Sequence, residues 1–306
     1  MANESIEVVP CPASLSLEAF ALVLGDLTPT QRRSIIPQNA VGQHEALLVA
    51  LDGEKLVGAA WGQRQPGSTA ILWLPRLVAG IGEVVADRLN CAVAGALDEA
   101  GVRMTQTLVT DRQSSAAKSL QSAGFTYLAD LMYLSWEAAR APALEASDVT
   151  FETYCEAEHE RFVKLIEQTY EATQDCAALN GQRPMSETID GYRATGVFHP
   201  ENWLFVRSGV EHVGVLLLAD HGTSEHWELV YMGLVPAARG KRIGAAIVQH
   251  AQQLVHRAGV ARLVLAVDAA NSPAIKMYNE SGFIGWDTRI VYVRFASANS
   301  ALHKTT

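Results

Sequence analysis

Trp227-Glu-Leu-Val-Tyr-Met-Gly-Leu-Val-Pro236 runs directly into Ala237-Ala-Arg-Gly-Lys-Arg-Ile-Gly-Ala-Ala246. The first half reads as a strand, because Leu229, Val230, Tyr231, Met232, Leu234 and Val235 follow one another without a charge. Pro236 ends it, having no backbone donor for a ladder. After the loop, Ile243, Ala246, Ile247, His250, Ala251, Leu254 and Val255 recur at i, i+3, i+4 spacing, which predicts an amphipathic helix. A strand therefore feeds a basic, glycine-containing loop, and the loop opens a helix. Unpaired N–H groups and the positive end of the helix dipole make such a junction attractive to phosphates. Gly240 and Gly244 allow close approach, and Arg239, Lys241 and Arg242 add positive charge.

The loop is neither Gly-x4-Gly-Lys-Ser/Thr nor Gly-x-Gly-x-x-Gly, so P-loop and dinucleotide folds are not indicated. Arg239 to Gly244 instead resembles the Arg/Gln-x-x-Gly-x-Gly/Ala pyrophosphate loop of the GNAT N-acetyltransferases, with Arg242 standing where that pattern has its first glycine. Asn271-Ser-Pro-Ala-Ile-Lys-Met-Tyr-Asn-Glu-Ser-Gly-Phe283 resembles the other signature of the same superfamily. Its local reading is a helix capped by Ser272, with Pro273 in the first turn and Gly282 closing it. The two signatures follow in the family's order, and the resemblance covers roughly residues 226–295.

Composition sets bounds. The 306 residues suggest about two domains, and a hydrophobic content of 49% supplies packed cores. A net charge of -9 argues against nucleic acid as a partner. No apolar run is long enough for a membrane helix, and the first residues lack a signal-peptide pattern, so a cytoplasmic protein is expected. Cys11, Cys91, Cys155 and Cys176 are scattered, as expected of reduced thiols, and the histidines show no metal-site spacing.

Along the chain, strands are read at Ile6–Val9, Ala46–Leu51, Leu56–Trp61, Thr69–Leu74, Met104–Val109 and Tyr127–Trp136, with helices at about 15–27, 29–36, 82–100 and 114–123. After a linker the order repeats: strand 149–153, helices 157–171 and 186–195, a strand pair at 203–207 and 213–219, then the strand, loop and helix already described. Ser122-Ala-Gly-Phe125 matches Glu280-Ser-Gly-Phe283, which sets a repeat of about 158 residues, the offset from Gly124 to Gly282. The expected fold class is α/β (α+β), with two tandem GNAT-like domains, each a mixed, mostly antiparallel sheet flanked by helices. Their expected bounds are 1–137 and 149–295, with a linker at 138–148 and a tail at 296–306. The layout resembles that of the mycothiol synthases, two-domain members of the superfamily whose C-terminal half is the active one. That resemblance is architectural and carries no substrate.

The halves differ where chemistry is expected. Gln113 stands opposite Asn271 and Leu120 opposite Tyr278, and the loop Leu77-Val-Ala-Gly-Ile-Gly82 has no basic residue. The N-terminal half is therefore read as degenerate in catalysis. In the C-terminal half the resemblance implies that acetyl-CoA binds along Met232, Gly233 and Leu234, with its pyrophosphate on Arg239, Gly240, Lys241, Arg242, Ile243, Gly244 and Ala245, and with Asn271 beside the pantetheine or holding its own loop. Gly233 suits a bulge, or is a close-packing glycine. Tyr278 is the candidate acid, since a phenol stays protonated at neutral pH and can give its proton to a departing thiolate; the competing reading is a core tyrosine. Glu228 is the candidate base, placed by strand alternation on one face with Val230 and Met232, or else a solvent-side carboxylate. His250 is read as structural; His221 and His226 flank the strand. Tyr170, Tyr192 and Trp203 are aromatic candidates for the acceptor site.

The expected activity is transfer of an acetyl group from acetyl-CoA to a primary amine of a small molecule or protein. The partners are acetyl-CoA and that amine acceptor, with no nucleic acid, membrane or metal involved. The alternatives are a non-catalytic acyl-CoA-binding or sensor protein, and transfer of a longer acyl group.

Overall fold

The computed structural model describes residues 5–28, 31–32, 35–36, 46–139 and 148–296. Half of the helix read at 29–36 and most of the linker and of the tail fall outside them. In chain order the elements are β1 (Ile6–Pro10), α1 (Ser16–Val23), β2 (Leu47–Asp52), β3 (Lys55–Gln65), β4 (Thr69–Leu77), α2 (Val84–Glu99), β5 (Met104–Val109), α3 (Ser115–Ser122) and β6 (Thr126–Glu137). They continue with β7 (Val149–Thr153), α4 (His159–Tyr170), α5 (Met185–Arg193), β8 (Trp203–Ser208), β9 (Glu211–Asp220), β10 (His226–Leu234), α6 (Ile243–Arg257), β11 (Arg262–Asp268), α7 (Ser272–Glu280) and β12 (Ile284–Phe295).

The chain forms two compact units, but they are not divided at residues 137–149 as the repeat suggested. One unit runs to Leu128 and resumes at Ile290; the other is Ala129–Arg289. The cause is an exchange of equivalent strands. β6 and β12 are offset by the repeat length, yet β5 pairs with β12 (Ile290↔Val109) and β11 pairs with β6 (Val264↔Ser135). Two strands of similar pattern fit one another's slots, which is the condition for swapping.

In the first unit the order is β1-β2-β3-β4-β5-β12, all antiparallel except β4 with β5. Val85, Leu89, Val93 and Leu97 of α2 pack with Leu120 and Phe125 on one face, and Phe20 and Val23 of α1 pack with Trp61 on the other. The burial of Leu120 agrees with its reading as an apolar counterpart of Tyr278.

In the second unit the order is β12-β6-β11-β10-β9-β8-β7, and β10 with β11 is the parallel pair. Ile243, Ile247, Ala251 and Val255 of α6 and Tyr278 of α7 cover one face together with Leu263, Leu265 and Val267. Phe162 and Ile166 of α4 and Ile189 of α5 cover β8–β10 on the other, with Trp203, Phe205 and Leu217. His250 stacks on Phe151 with centroids 3.7 Å apart; burial lowers its pKa to about 4, so it is a neutral packing residue, in line with the sequence reading.

Candidate active site

The site begins where two strands part. β10 is registered with β11 at His226↔Arg262, Trp227↔Leu263 and Glu228↔Val264, and there the ladder stops, although β10 runs on to Leu234 and β11 to Asp268. On its other edge β10 stays paired with β9 as far as Leu234↔Gly214. The Val235 amide donates to the Val213 carbonyl at 2.9 Å. Antiparallel residues alternate between bonded and non-bonded pairs. Met232 and Leu234 therefore turn their N–H groups away from β9, toward the opening left by β11. These are the residues the sequence assigned to the cofactor's arm, and Glu228 stands at the apex of the fork.

Two details of β10 differ from the sequence reading. The register with β9 shifts between Leu229 and Tyr231, so the bulge lies at Val230 and not at Gly233. The extra residue reverses the alternation. Glu228 and Val230 do not share a face with Met232: Val230 and Tyr231 pack with α4, whereas Met232 and Leu234 pack with α6. Gly233 serves close packing instead. A Cβ there would lie 2.5 Å from Thr169 Oγ1 and 2.6 Å from the Tyr231 hydroxyl, and it would break the 2.7 Å hydrogen bond between those two groups.

Beyond β10 the loop turns into α6. Arg242 occupies the position before the first helical residue with φ 63°, a left-handed conformation. That explains the family's glycine at this position, and the arginine adopts glycine's backbone at a cost of about 1–2 kcal/mol. Gly240, Lys241 and Arg242 are exposed, as a phosphate-contacting turn requires. Gly244 has a packing role: a Cβ would lie 2.7 Å from the Met277 sulfur, so this glycine lets α6 approach α7.

Arg239 is engaged within the protein. Its Nε donates to Leu234 O at 3.0 Å, its Nη1 to Ala172 O at 2.9 Å, and its Nη2 to Thr169 O at 2.9 Å and Glu171 O at 2.7 Å. The guanidinium satisfies carbonyls at the C-terminal end of α4 that no helical N–H can reach. It fixes the position of the loop and does not extend toward an incoming phosphate.

On α7, Asn271 is the N-cap, accepting from the Ala274 amide at 3.3 Å; Ser272, read as the cap, is the first helical residue. Asn271 also hydrogen-bonds the Asp175 carboxyl. Tyr278 is buried, edge-on to Phe283 with centroids 5.5 Å apart. Burial, followed by the charge of Asp175, pushes its phenol pKa up, so it stays protonated at neutral pH.

Two groups of side chains whose pairing the sequence did not show converge here. The loop after α4 lays Asp175 and Cys176 across the end of β11: the Asp268 amide donates to Asp175 Oδ1 at 2.9 Å, and the Cys176 amide to Asp268 Oδ2 at 3.2 Å. Burial raises the Asp175 pKa and carries that of the Cys176 thiol to about 12, so this cysteine is not a nucleophile. No spacing in the sequence links position 175 to 268; the fold alone brings them together. At the other end of the fork His221 Nε2 lies 3.0 Å from Glu228 Oε2, and that hydrogen bond raises the His221 pKa. Of the aromatic candidates, Tyr170 and Tyr192 share a hydroxyl hydrogen bond of 2.5 Å beside Tyr231, and Trp203 is buried in the α4 core. Among the described residues no group of three or more His, Cys, Asp or Glu side chains is placed to hold a metal.

The profile of the GNAT acetyltransferase family matches residues 166–283, from α4 to the Phe283 that ends the second signature. Residues 166–283 belong to the GNAT family. Mycothiol acetyltransferase of Renibacterium salmoninarum is 33% identical over 73 residues, which is 24% of this chain and 22% of that one. The enzyme of the same name from Corynebacterium glutamicum is 32% identical over 89 residues, 29% of this chain and 30% of the other. The matched segments thus span less than a third of those relatives. The fold likeness extends further. A GCN5-related N-acetyltransferase from Sphaerobacter thermophilus superposes with TM-score 0.64 at 14% identity, covering 96% of each chain. A tandem GNAT protein from the clavulanic acid biosynthesis pathway superposes with TM-score 0.54 at 14% identity, covering 95% of this chain and 99% of that one. The chain has the tandem GNAT fold, as its repeat implied. Among the described residues no helix is long and apolar enough to cross a membrane.

Proposed function

We propose that the protein is an acetyl-CoA-dependent N-acetyltransferase that acts on a primary amine, with its active site in the second unit. The observation that carries this reading is the fork. The β10–β11 ladder ends at Glu228↔Val264, free amides of Met232 and Leu234 face the gap, and the exposed turn Gly240–Arg242 opens α6 beyond it. The pantetheine arm lies along β10 and the pyrophosphate sits over the amides of Gly240–Ala245, with Lys241 and Arg242 supplying charge. The amine nitrogen attacks the thioester carbonyl carbon, the carbon–sulfur bond breaks, and backbone N–H groups near Leu234 hold the oxyanion. Glu228 takes the proton from nitrogen, and Tyr278 returns one to the departing thiolate. Arg239 has a supporting role through its grip on the loop.

Calorimetry and single-turnover kinetics test the reading together. Lys241→Glu reverses the charge of an exposed residue and is expected to weaken CoA binding by about tenfold or more. It is a cleaner probe than a substitution at Gly244, where any side chain meets Met277. Glu228→Gln keeps size and hydrogen bonding but removes the base, and is expected to lower the transfer rate by about 10²–10⁴-fold with CoA affinity retained. CoA binding by the wild type without transfer of acetyl to any amine would favour the alternative of a non-catalytic acyl-CoA sensor. Unchanged CoA affinity in the Lys241 variant would remove the pyrophosphate site from this loop.

A further inference from the structure

β11 lies between β6 and β10, and a strand in that position is ordinarily covered on both faces. Leu263, Leu265 and Val267 are buried against α6 and α7, but on the other face Ala266 is exposed and Val264 half-buried. The helices α4 and α5 cover β8–β10 and leave this strip open. The floor of the strip is therefore two small side chains. Along one wall stand Glu228, in register with Val264, and its partner His221. Along the other stands Tyr133, in register with Ala266, and beyond it Trp286, whose ring centroid is 5.6 Å from that of Tyr133. Trp286 is 62% exposed and Ile284 72% exposed, so this wall is aromatic and apolar yet open to water. The charge of Glu228 acts on the Tyr133 hydroxyl, which places the two walls within electrostatic reach. Asp268 and Asp175 close the end of β11, and Arg289, paired with Asp287 at 2.8 Å, also acts on Tyr133. At Glu228, the last residue of β10 in register with β11, the backbones of β10 and β6 are two strand spacings apart, about 10 Å, which leaves room between the wall side chains for one flat ring.

We propose that this trough is the acceptor site and that it selects an arylalkylamine: an amine on a short chain that ends in a flat aromatic ring. The inference rests on the acetyltransferase reading above and adds to it the class of the acceptor. The ammonium group meets Glu228 at the apex of the fork, where charge complementarity and the start of the acetyl channel coincide. The ring lies over Val264 and Ala266 against the faces of Tyr133 and Trp286. A contiguous apolar patch of this kind is uncommon on a surface without a ligand to cover it. A sugar amine would leave its hydroxyls over an alanine and a valine without partners. Tyr133 belongs to β6, the strand exchanged from the first repeat, so the N-terminal half contributes to the selectivity of the C-terminal site even though its own chemistry is degenerate.

The test uses the full chain with phenethylamine and glucosamine as probes. The wild type is expected to acetylate phenethylamine with the higher kcat/KM. Trp286→Ala, a change at an exposed position, is expected to raise KM for phenethylamine about tenfold, the scale of one lost aromatic contact, with kcat nearly unchanged. Saturation-transfer NMR with CoA present reads the same contact without turnover: phenethylamine ring protons should receive signal from the wild type and lose it with Trp286→Ala. A preference for glucosamine, an unchanged KM, equal signal from both proteins, or no ring signal from the wild type would each overturn the trough. Ring contact without transfer would leave the trough standing and overturn the acetyltransferase reading instead.

Discussion

Replacing Tyr278 by Phe is expected to lower the acetyl-transfer rate by about 10²–10⁴-fold while leaving CoA affinity and the melting temperature nearly unchanged. The substitution removes one oxygen from a buried ring that packs on Phe283 and keeps every apolar contact of that ring. Burial raises the phenol pKa, which makes Tyr278 a weaker acid in isolation. In the proposed reaction the departing thiolate would form beside the same buried ring, where burial would raise its basicity for the same reason, so that proton transfer from oxygen to sulfur would remain favourable. The counterpart in the first repeat supplies the control. Leu120 is fully buried, and Leu120→Ala is expected to cost about 2–5 kcal/mol through lost transfer energy and a cavity. It should not lower the rate of the molecules that remain folded. Single-turnover kinetics with a thermal melt on both variants separate the two effects. Full rate in a folded Tyr278→Phe protein would assign the proton to water or to another side chain.

The repeat, the strand–loop–helix junction and the second signature were legible because each is a local pattern: periodicity, a stop at Pro236, a cap and a closing glycine. Arg242, the apparent departure from the family's loop, proved to hold the glycine's backbone conformation at φ 63°. The features that escaped are those in which residues distant in sequence compete for one place. Strand exchange could not be read because β6 and β12 have similar patterns, and pattern does not say which neighbour a strand takes. The bulge at Val230 was missed because alternation assumes an unbroken ladder; one extra residue put Met232 on the opposite face from Glu228. Asp175 sits in a polar loop whose sequence carries no signal, and only the fold brings it to Asp268 and Asn271. Arginine in a phosphate-loop motif is naturally read as a phosphate ligand, since sequence shows charge but not the carbonyls that engage it.

That last distinction gives the second large effect. Arg239→Met keeps the alkyl stem and removes the guanidinium, which leaves the carbonyls of Leu234, Thr169, Glu171 and Ala172 without their donor. Hydrogen bonds from a charged donor are each worth more than neutral ones, but carbonyls near the surface recover part of the loss from water. The net cost is expected to be about 2–4 kcal/mol of folding stability in the absence of any ligand. Arg239→Lys should recover only part of it, because one ammonium cannot span carbonyls arranged around a planar fork. CoA affinity should fall as well, as a consequence of the loosened loop, and less than it falls when Lys241 is reversed. Denaturant unfolding of the apoprotein, read beside calorimetry, decides between the roles. An arginine that holds the loop lowers the unfolding midpoint without CoA present. An arginine that holds a phosphate lowers affinity and leaves the apoprotein's midpoint where it was. The geometry of the four carbonyls favours the first outcome, and the second would return Arg239 to the ligand side of the loop.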